Sequence, residues 1–335
     1  MKTYGDRPIY VASLGKKGNI QGLLLAIESC YAKHPALTSI GTRGLLFGKL
    51  YKHTISPLFQ KMLPFIFWEN GPVILSQSPG KKSSFPKKLY QKLVKKIVEK
   101  AQKRDCYEIK FARPPFFDDH DGIFTSLGFQ ARKMGTILVN LDQPVEVLWK
   151  RINKHARRNI KKMEQNVEFV RVSKLGELKE FYDMHVESSQ RAKVKIYPFS
   201  YFTSLWNHFA PHNKIVGFIA RLKNKPIGAL ICLMHNKTIH EYVVADSDYA
   251  RSNRIYANDI LKWHIIKWAH ERGFKYFDLR GVELYKIDAG DEKARNIYRF
   301  KSKWGGQLVE FHDYEKTLQS RKLTKLLGHF LSDSI

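Results

Sequence analysis

One order of elements occurs twice along this chain, and that repetition limits the folds open to it more than any single motif does. Each half opens on a β-hairpin whose second strand begins with a small-residue step, Ile20-Gln-Gly22 in the first and Pro226-Ile-Gly228 in the second. Each later runs helix, strand, loop and short helix, then stops at an aromatic residue beside glycine: Gly128-Phe129 and Trp304-Gly-Gly306. Two matching halves in 335 residues read as tandem copies of one α/β domain.

Local patterns fill in the elements. Ile9–Leu14 and Asn19–Ile27 are β-rich runs joined by Gly15-Lys-Lys-Gly18. A loop-rich, basic and aromatic stretch is expected up to Phe67, and Trp68 to Leu75 reads as a turn feeding a strand. Leu89, Leu93, Ile97 and Ala101 share one face of a helix over Lys87–Gln102, with lysines opposite. Strands at Tyr107–Arg113 and Ile137–Leu141 flank a helical turn at Ile123–Leu127. In the second half, helices are predicted over Val145–Gln165 and Leu178–Ser189. A three-strand meander follows, Lys214–Leu222, Ile227–Met234 and Thr238–Ala245. Then come a long helix from Tyr256 to Glu271, a buried strand at Tyr276–Leu279, a helix at Asn296–Trp304 and a strand at Gln307–Tyr314. The expected domains are 1–140 and 141–315, with 316–335 a basic amphipathic helix that either packs on the protein or lies on anionic lipid.

Charge narrows the partners. Lys and Arg number 58 against 31 Asp and Glu, a formal +27 spread through both halves and not gathered in a tail. Such a field favours polyanions: RNA, anionic headgroups or a phosphate-bearing substrate. At 43% hydrophobic residues the chain can build packed cores. Cys30, Cys106 and Cys232 sit in or beside apolar runs without CxxC spacing, which predicts buried thiols in a reducing compartment and no zinc site. With no signal-peptide core and no apolar run near the ~18 residues of a spanning helix, a cytoplasmic protein is expected, working at most on the inner face of the membrane.

The common catalytic signatures are missing. There is no HExxH, phosphate-binding P-loop, dinucleotide glycine triplet or GxSxG. Asp118-Asp-His-Asp121 reads better as a polar turn than as a metal cluster, and His264 and His270 lie on a Trp-rich helix without ligand spacing. Chemistry is therefore expected at strand C-termini in the second half, between Asp278 and Gly306.

Several stretches there, taken in order, resemble the Fem-type peptidoglycan-bridge aminoacyltransferases. They are Leu148 to Lys162 with Val167-Glu-Phe-Val170, then Tyr197-Pro-Phe-Ser-Tyr-Phe202. Ala245-Asp246 leads through Tyr256-Ala257 to Phe277-Asp-Leu-Arg-Gly281, and Tyr298-Arg-Phe-Lys-Ser-Lys-Trp-Gly-Gly306 closes the series. The resemblance covers most of Trp68–Tyr314 and is strongest in the second half. It implies two tandem GNAT-like domains, each a mixed, mostly antiparallel twisted sheet flanked by helices. It also implies transfer of an amino acid from aminoacyl-tRNA to an amine of a lipid-linked or nucleotide-linked muropeptide, without a metal or resident cofactor. The family's Phe-Lys pair falls on Phe300 and Lys301: the lysine would stabilise charge on the carbonyl or departing ribose oxygen, and the phenylalanine would hold its helix, whereas without the resemblance Lys301 reads as a surface lysine in a lysine-rich segment.

Asp278 reads either as a loop cap or partner of Arg280, or as a group orienting the acceptor amine. Substrate contacts are expected from Tyr256, Arg254, Asn258, Tyr298, Arg280 and Tyr197. The basic face with Lys154, Arg157 and Arg158 is either a solvated surface or a contact for tRNA. The sequence departs from the family pattern at Tyr197, where arginine is usual, and at Arg280, where glycine is usual. It also starts close to its first strand, so the family's leading helix is expected to be shortened. Two other readings stay open: an N-acyltransferase with an acyl-CoA or other thioester donor in polysaccharide or lipid synthesis, and a catalytically decayed RNA- or membrane-surface-binding protein. The turn Arg251-Ser-Asn-Arg254 holds no glycine, so it lacks the backbone cradle that acyl-CoA enzymes use for pyrophosphate.

Overall fold

The computed structural model describes residues 6–16, 18–30, 64–68, 73–74, 87–112, 122–194 and 196–319. The chain divides into two compact units, one of Met1–Lys133 with Phe311–Ile335 and one of Met134–Glu310. Each holds a mixed, mostly antiparallel sheet flanked by helices.

In the first unit the strands are β1 (Arg7–Leu14), β2 (Ile20–Cys30), β3 (Pro64–Trp68), β4 (Val73–Ile74), β5 (Glu108–Ala112) and the end of β12 (Gln307–Thr317). Their order is β1-β2-β3-β5-β12, with β4 on β2; among the described strands here, β3 and β5 run parallel and the other pairs antiparallel. Helix α1 (Lys87–Lys103) buries Leu93, Ile97 and Ala101 with Ile9, Val11 and Leu24, as its spacing predicts, and the short α2 (Ile123–Ser126) adds Ile123 and Phe124 to the same core. Pro64–Phe67, read from sequence as the end of a loop, is strand. Phe65 and Ile66 are fully buried there, and a continuous apolar run of this kind gives no alternation to read. The acidic cluster at Asp118–Asp121 and the tail from Ser320 onward lie outside the described residues, while Lys316 and Thr317 of the expected tail helix end β12.

The second unit holds β6 (Gln130–Asn140), β7 (Val167–Arg171), β8 (Ile215–Leu222), β9 (Lys225–His235), β10 (Thr238–Asp246) and β11 (Tyr276–Val282), in the order β6-β11-β10-β9-β8-β7. Only β10 and β11 run parallel. Their flanking helices are α3 (Val145–Arg151), α4 (Lys154–Met163), α5 (Leu175–Arg191), α6 (Phe199–Phe209), α7 (Asp248–Ser252), α8 (Ala257–Glu271), α9 (Leu284–Asp288) and α10 (Glu292–Ser302). Alternate residues of the central strands serve two cores. Val216, Phe218, Leu230 and Cys232 pack towards α8, whereas Ile215, Ile219, Ala229 and Ile231 pack towards α5 and α6.

The helix predicted over Val145–Gln165 is two helices. Ile152 turns extended, and Asn153 caps α4 by accepting from the His155 N–H at 2.9 Å. The pattern missed this because both helices bury the same side, through Leu148, Ala156 and Ile160. Two glycines set close approaches. A Cβ at Gly228 would lie 2.8 Å from the Ala257 Cβ, so the first turn of α8 rests directly on β9. Gly305 is left-handed (φ +72°), and a Cβ there would strike Arg151 at the end of α3.

Candidate active site

The gap begins where β10 and β11 part. They pair over only three steps, Thr238 with Tyr276, Ile239 with Phe277 and His240 with Asp278. Beyond that, β10 bulges against β9 between Glu241 and Val243, and β11 bulges against β6 between Asp278 and Gly281. The two bulges splay the strands and turn backbone groups into the opening.

Arg280 sits in the β11 bulge with φ +58°, a conformation that favours glycine. This is where the family pattern has glycine. Its N–H donates to Asp278 Oδ1 at 2.7 Å. Its carbonyl and that of Gly281 accept from the Lys301 ammonium at 3.1 and 2.8 Å. Its guanidinium stands 5.6 Å from the centre of the Tyr242 ring, and the Tyr242 hydroxyl meets that of Tyr201. Tyr197 stacks on Tyr201 at 4.7 Å, so the expected residues Tyr197 and Arg280 are linked through two tyrosines.

Asp278 is 8% exposed and accepts from the Thr136 hydroxyl and from His240 Nδ1, the latter at 2.9 Å. Burial pushes its carboxyl up, but the His240, Thr136 and Arg280 donors outweigh burial and hold it below the ordinary aspartate value. Lys301 projects from α10. Burial lowers its pKa, helped by Lys262 and Arg280 and opposed by Glu241 and Asp278. Lys262 on α8 is 1% exposed and lies 2.8 Å from Glu241 Oε2. Two ammonium groups approach the Phe300 ring, Lys262 at 5.1 Å and Lys303 at 4.1 Å from its centre. Lys303 in turn pairs with buried Asp259, which also accepts from Asn159 at 2.9 Å. Asp259 thereby ties α4, α8 and the end of α10 together.

The structure thus groups Lys301, Phe300, Asp278 and Arg280. Tyr256 is exposed at the start of α8, Arg254 is exposed and left-handed in the turn before it, and Asn258 is half-buried in the first turn. Tyr298, on α10, packs against the core. Lys154 and Arg158 are exposed and Arg157 half-buried on α4. Sequence reading missed His240, Glu241, Thr136, Lys262 and Asp259. For two of them the available signal was that Asp259 and Lys262 fall among the apolar residues that α8 buries. His264 and His270 are structural: one stacks on Phe169 at 3.9 Å and the other bonds the Leu141 carbonyl. Cys106 and Cys232 are buried thiols as expected, whereas Cys30, at the end of β2, is only half-buried. Among the described residues no group of side chains is arranged to hold a metal ion, and no helix is long and apolar enough to cross a membrane.

Residues 150–310 match the family described as Acetyltransferase (GNAT) domain. The crystal structure of FemX aligns with 97% of this chain and 91% of its own, with a TM-score of 0.66 at 14% identity. L-PGS from Bacillus licheniformis aligns with 95% and 87% (TM-score 0.56, 12% identity). A tandem GNAT protein from the clavulanic acid biosynthesis pathway aligns with 93% and 83% (0.53, 10%). No curated protein matches the sequence. The chain has a Fem-like fold built from GNAT-type domains.

Proposed function

We propose that this chain uses its Fem-like fold as an acyltransferase, moving an amino acid from aminoacyl-tRNA to an amine of a lipid-linked or nucleotide-linked muropeptide. The observation that carries the reading is Lys301, a cation held by two carbonyls of β11 where the strands separate. Attack of an amine on the ester carbonyl builds negative charge on the carbonyl oxygen and then on the departing ribose oxygen. An ammonium fixed in a partly dry gap stabilises that charge without having to reorganise. The Phe300 ring, through its contacts with Lys262 and Lys303, helps keep the end of α10 in place.

Two features favour tRNA as the donor. The Arg251–Arg254 turn carries no glycine, and Arg251 is committed in part to Asp246 at 3.5 Å, which does not suit a pyrophosphate cradle. The exposed face of α4 presents Lys154, Arg158, Lys161 and Lys162 to solvent, a surface that fits a phosphate backbone. The protein would work in the cytoplasm, at or near the inner face of the membrane where such acceptors are made. A second reading, an acyl-CoA donor, is favoured by the acetyltransferase family match over 150–310. A decayed, non-catalytic binding protein is the third.

The test uses bulk tRNA charged with labelled amino acids and, separately, labelled acetyl-CoA, each with a muropeptide acceptor. Transfer from charged tRNA that falls in Lys301→Ala supports the proposal. Transfer from acetyl-CoA alone favours the second reading, and transfer from neither overturns both.

A further inference from the structure

The proposed reaction needs a neutral amine, yet an acceptor amine is mostly ammonium at neutral pH. His240 and Asp278 are the last residues to face each other before β10 and β11 part, so their side chains stand at the floor of the gap. Asp278 is bound on three sides: by Thr136, by the Arg280 N–H and by His240 Nδ1 at 2.9 Å. An ionised carboxylate only accepts, so the Nδ1 of the neutral ring carries the proton and Nε2 keeps its lone pair. The His240 side chain is one-third exposed, 33% against 11% for Asp278.

The direction of this pair is fixed by alternation. Ile239 and Phe277 point into the core beneath α8, so His240 and Asp278 point to the opposite face. Glu241 points back towards α8, where it meets Lys262. Lys301 belongs with that α8-side cluster, but its ammonium reaches the Arg280 and Gly281 carbonyls at the edge of β11. A donor ester lying against Lys301 would therefore present its carbonyl carbon to a nucleophile entering from the His240 side.

We infer that His240 is the proton acceptor for the attacking amine, with Asp278 as its positioning residue. The inference rests on amine acyl transfer in this gap. Nε2 takes one proton from the acceptor ammonium, and Asp278 stabilises the imidazolium. The amine lone pair forms the C–N bond while the carbonyl electrons move to oxygen beside Lys301. Collapse breaks the ester C–O bond, the second amine proton goes to the departing ribose oxygen, and His240 releases its proton to water. The charged groups around the pair are Arg280 on β11 and Lys301 on α10; burial lowers the Lys301 pKa, and Asp278 opposes that shift.

The test compares two nucleophiles with bulk charged tRNA as donor: a muropeptide amine, and hydroxylamine, which is uncharged at neutral pH. In His240→Gln, transfer to the muropeptide amine should fall about 10²-fold or more, the range of general-base catalysis, and recover as pH rises and the amine deprotonates itself. Transfer to hydroxylamine should stay within about threefold of wild type, and Asp278→Asn should show the same pattern more weakly. Equal loss with both nucleophiles would mark a structural role and overturn the proposal. So would undiminished transfer to the muropeptide. Wild-type protein that transfers to neither nucleophile overturns the donor assignment and this inference together; wild-type transfer with His240→Gln unaffected overturns this inference alone.

Discussion

Lys301 and Asp278 hold the two ends of one residue: the carboxylate accepts from the Arg280 N–H at 2.7 Å, and the ammonium donates to the Arg280 carbonyl at 3.1 Å. The β11 bulge is thus pinned from both sides of the gap, so the two charged groups keep a fixed relation through a single backbone unit. Lys301→Ala should lower kcat by about 10²–10³ with little change in KM, as expected for loss of one group that acts on developing charge. Because the pKa of Lys301 lies below the ordinary lysine value, wild-type kcat should fall at a lower alkaline pH than an exposed lysine would give. Rate profiles across alkaline pH check this. A wild-type plateau persisting through the normal lysine range would remove the ammonium from the mechanism.

Arg280 keeps a left-handed conformation at a position where glycine would be cheaper. Its guanidinium over Tyr242 is the visible return for that strain. Arg280→Gly should raise stability by about 1 kcal/mol, read from the denaturant midpoint, because the Cβ clash is relieved. The same variant should raise KM for an anionic acceptor while leaving KM for a neutral amine unchanged. Loss of stability instead would show that the Tyr242 contact outweighs the strain.

Much of this arrangement was legible in the sequence. The tandem order of elements, the hairpins and the α1 face follow from period and punctuation. Phe300, Lys301, Asp278 and Arg280 came together from one resemblance. What stayed hidden was hidden for physical reasons. His240 lies in a half-buried strand among residues of mixed polarity, and only the parallel register opposite Asp278 gives it a role. Glu241 and Lys262 are 21 positions apart and become partners only when α8 settles onto Gly228. The break at Asn153 was masked by one apolar stripe shared between α3 and α4.

The Lys262–Glu241 pair offers a sharper stability test than any surface charge. Lys262 is 1% exposed, so removing one partner leaves a nearly buried charge without its counterion. Lys262→Met should cost roughly 3–5 kcal/mol, whereas Lys262→Met with Glu241→Gln should recover much of that loss. Urea titrations of both variants measure the coupling. If the double variant is as unstable as the single, the cost is one of packing and not of charge.

His185 predicts a pH dependence. It is 6% exposed among Phe181, Tyr182, Tyr197 and Phe202, and burial lowers its pKa to about 4. Between the unfolded value near 6.5 and the folded value near 4, the unfolded chain holds a proton that the folded chain refuses. Stability should therefore fall as pH drops through that window, by ~1.4 kcal/mol per pH unit for this one group. His185→Phe should flatten the slope between about pH 6.5 and 4 in equilibrium unfolding. An unchanged slope would place the acid sensitivity elsewhere, with His264, which burial also lowers to about 4, the next residue to test.

The proposed contact of α4 with a tRNA donor can be tested apart from the proposed chemistry. Ala156 and Ile160 are buried on one side, while Lys154, Arg158, Lys161 and Lys162 are exposed on the other, so the exposed set can be changed without touching the core. Each phosphate neutralised by a cation releases counterions, and the logarithm of affinity falls with the logarithm of salt by roughly 0.7–0.9 per contact. Replacing Lys154, Arg158 and Lys161 by alanine should leave the melting temperature in place and weaken binding of bulk tRNA. The salt slope should drop by roughly two to three. Hydroxylamine turnover at saturating charged tRNA should be unchanged, because none of the three side chains reaches the gap chemistry proposed for Lys301 and His240. An unaltered slope would mean that this face is only solvated and that the chain's +27 charge meets its polyanion elsewhere.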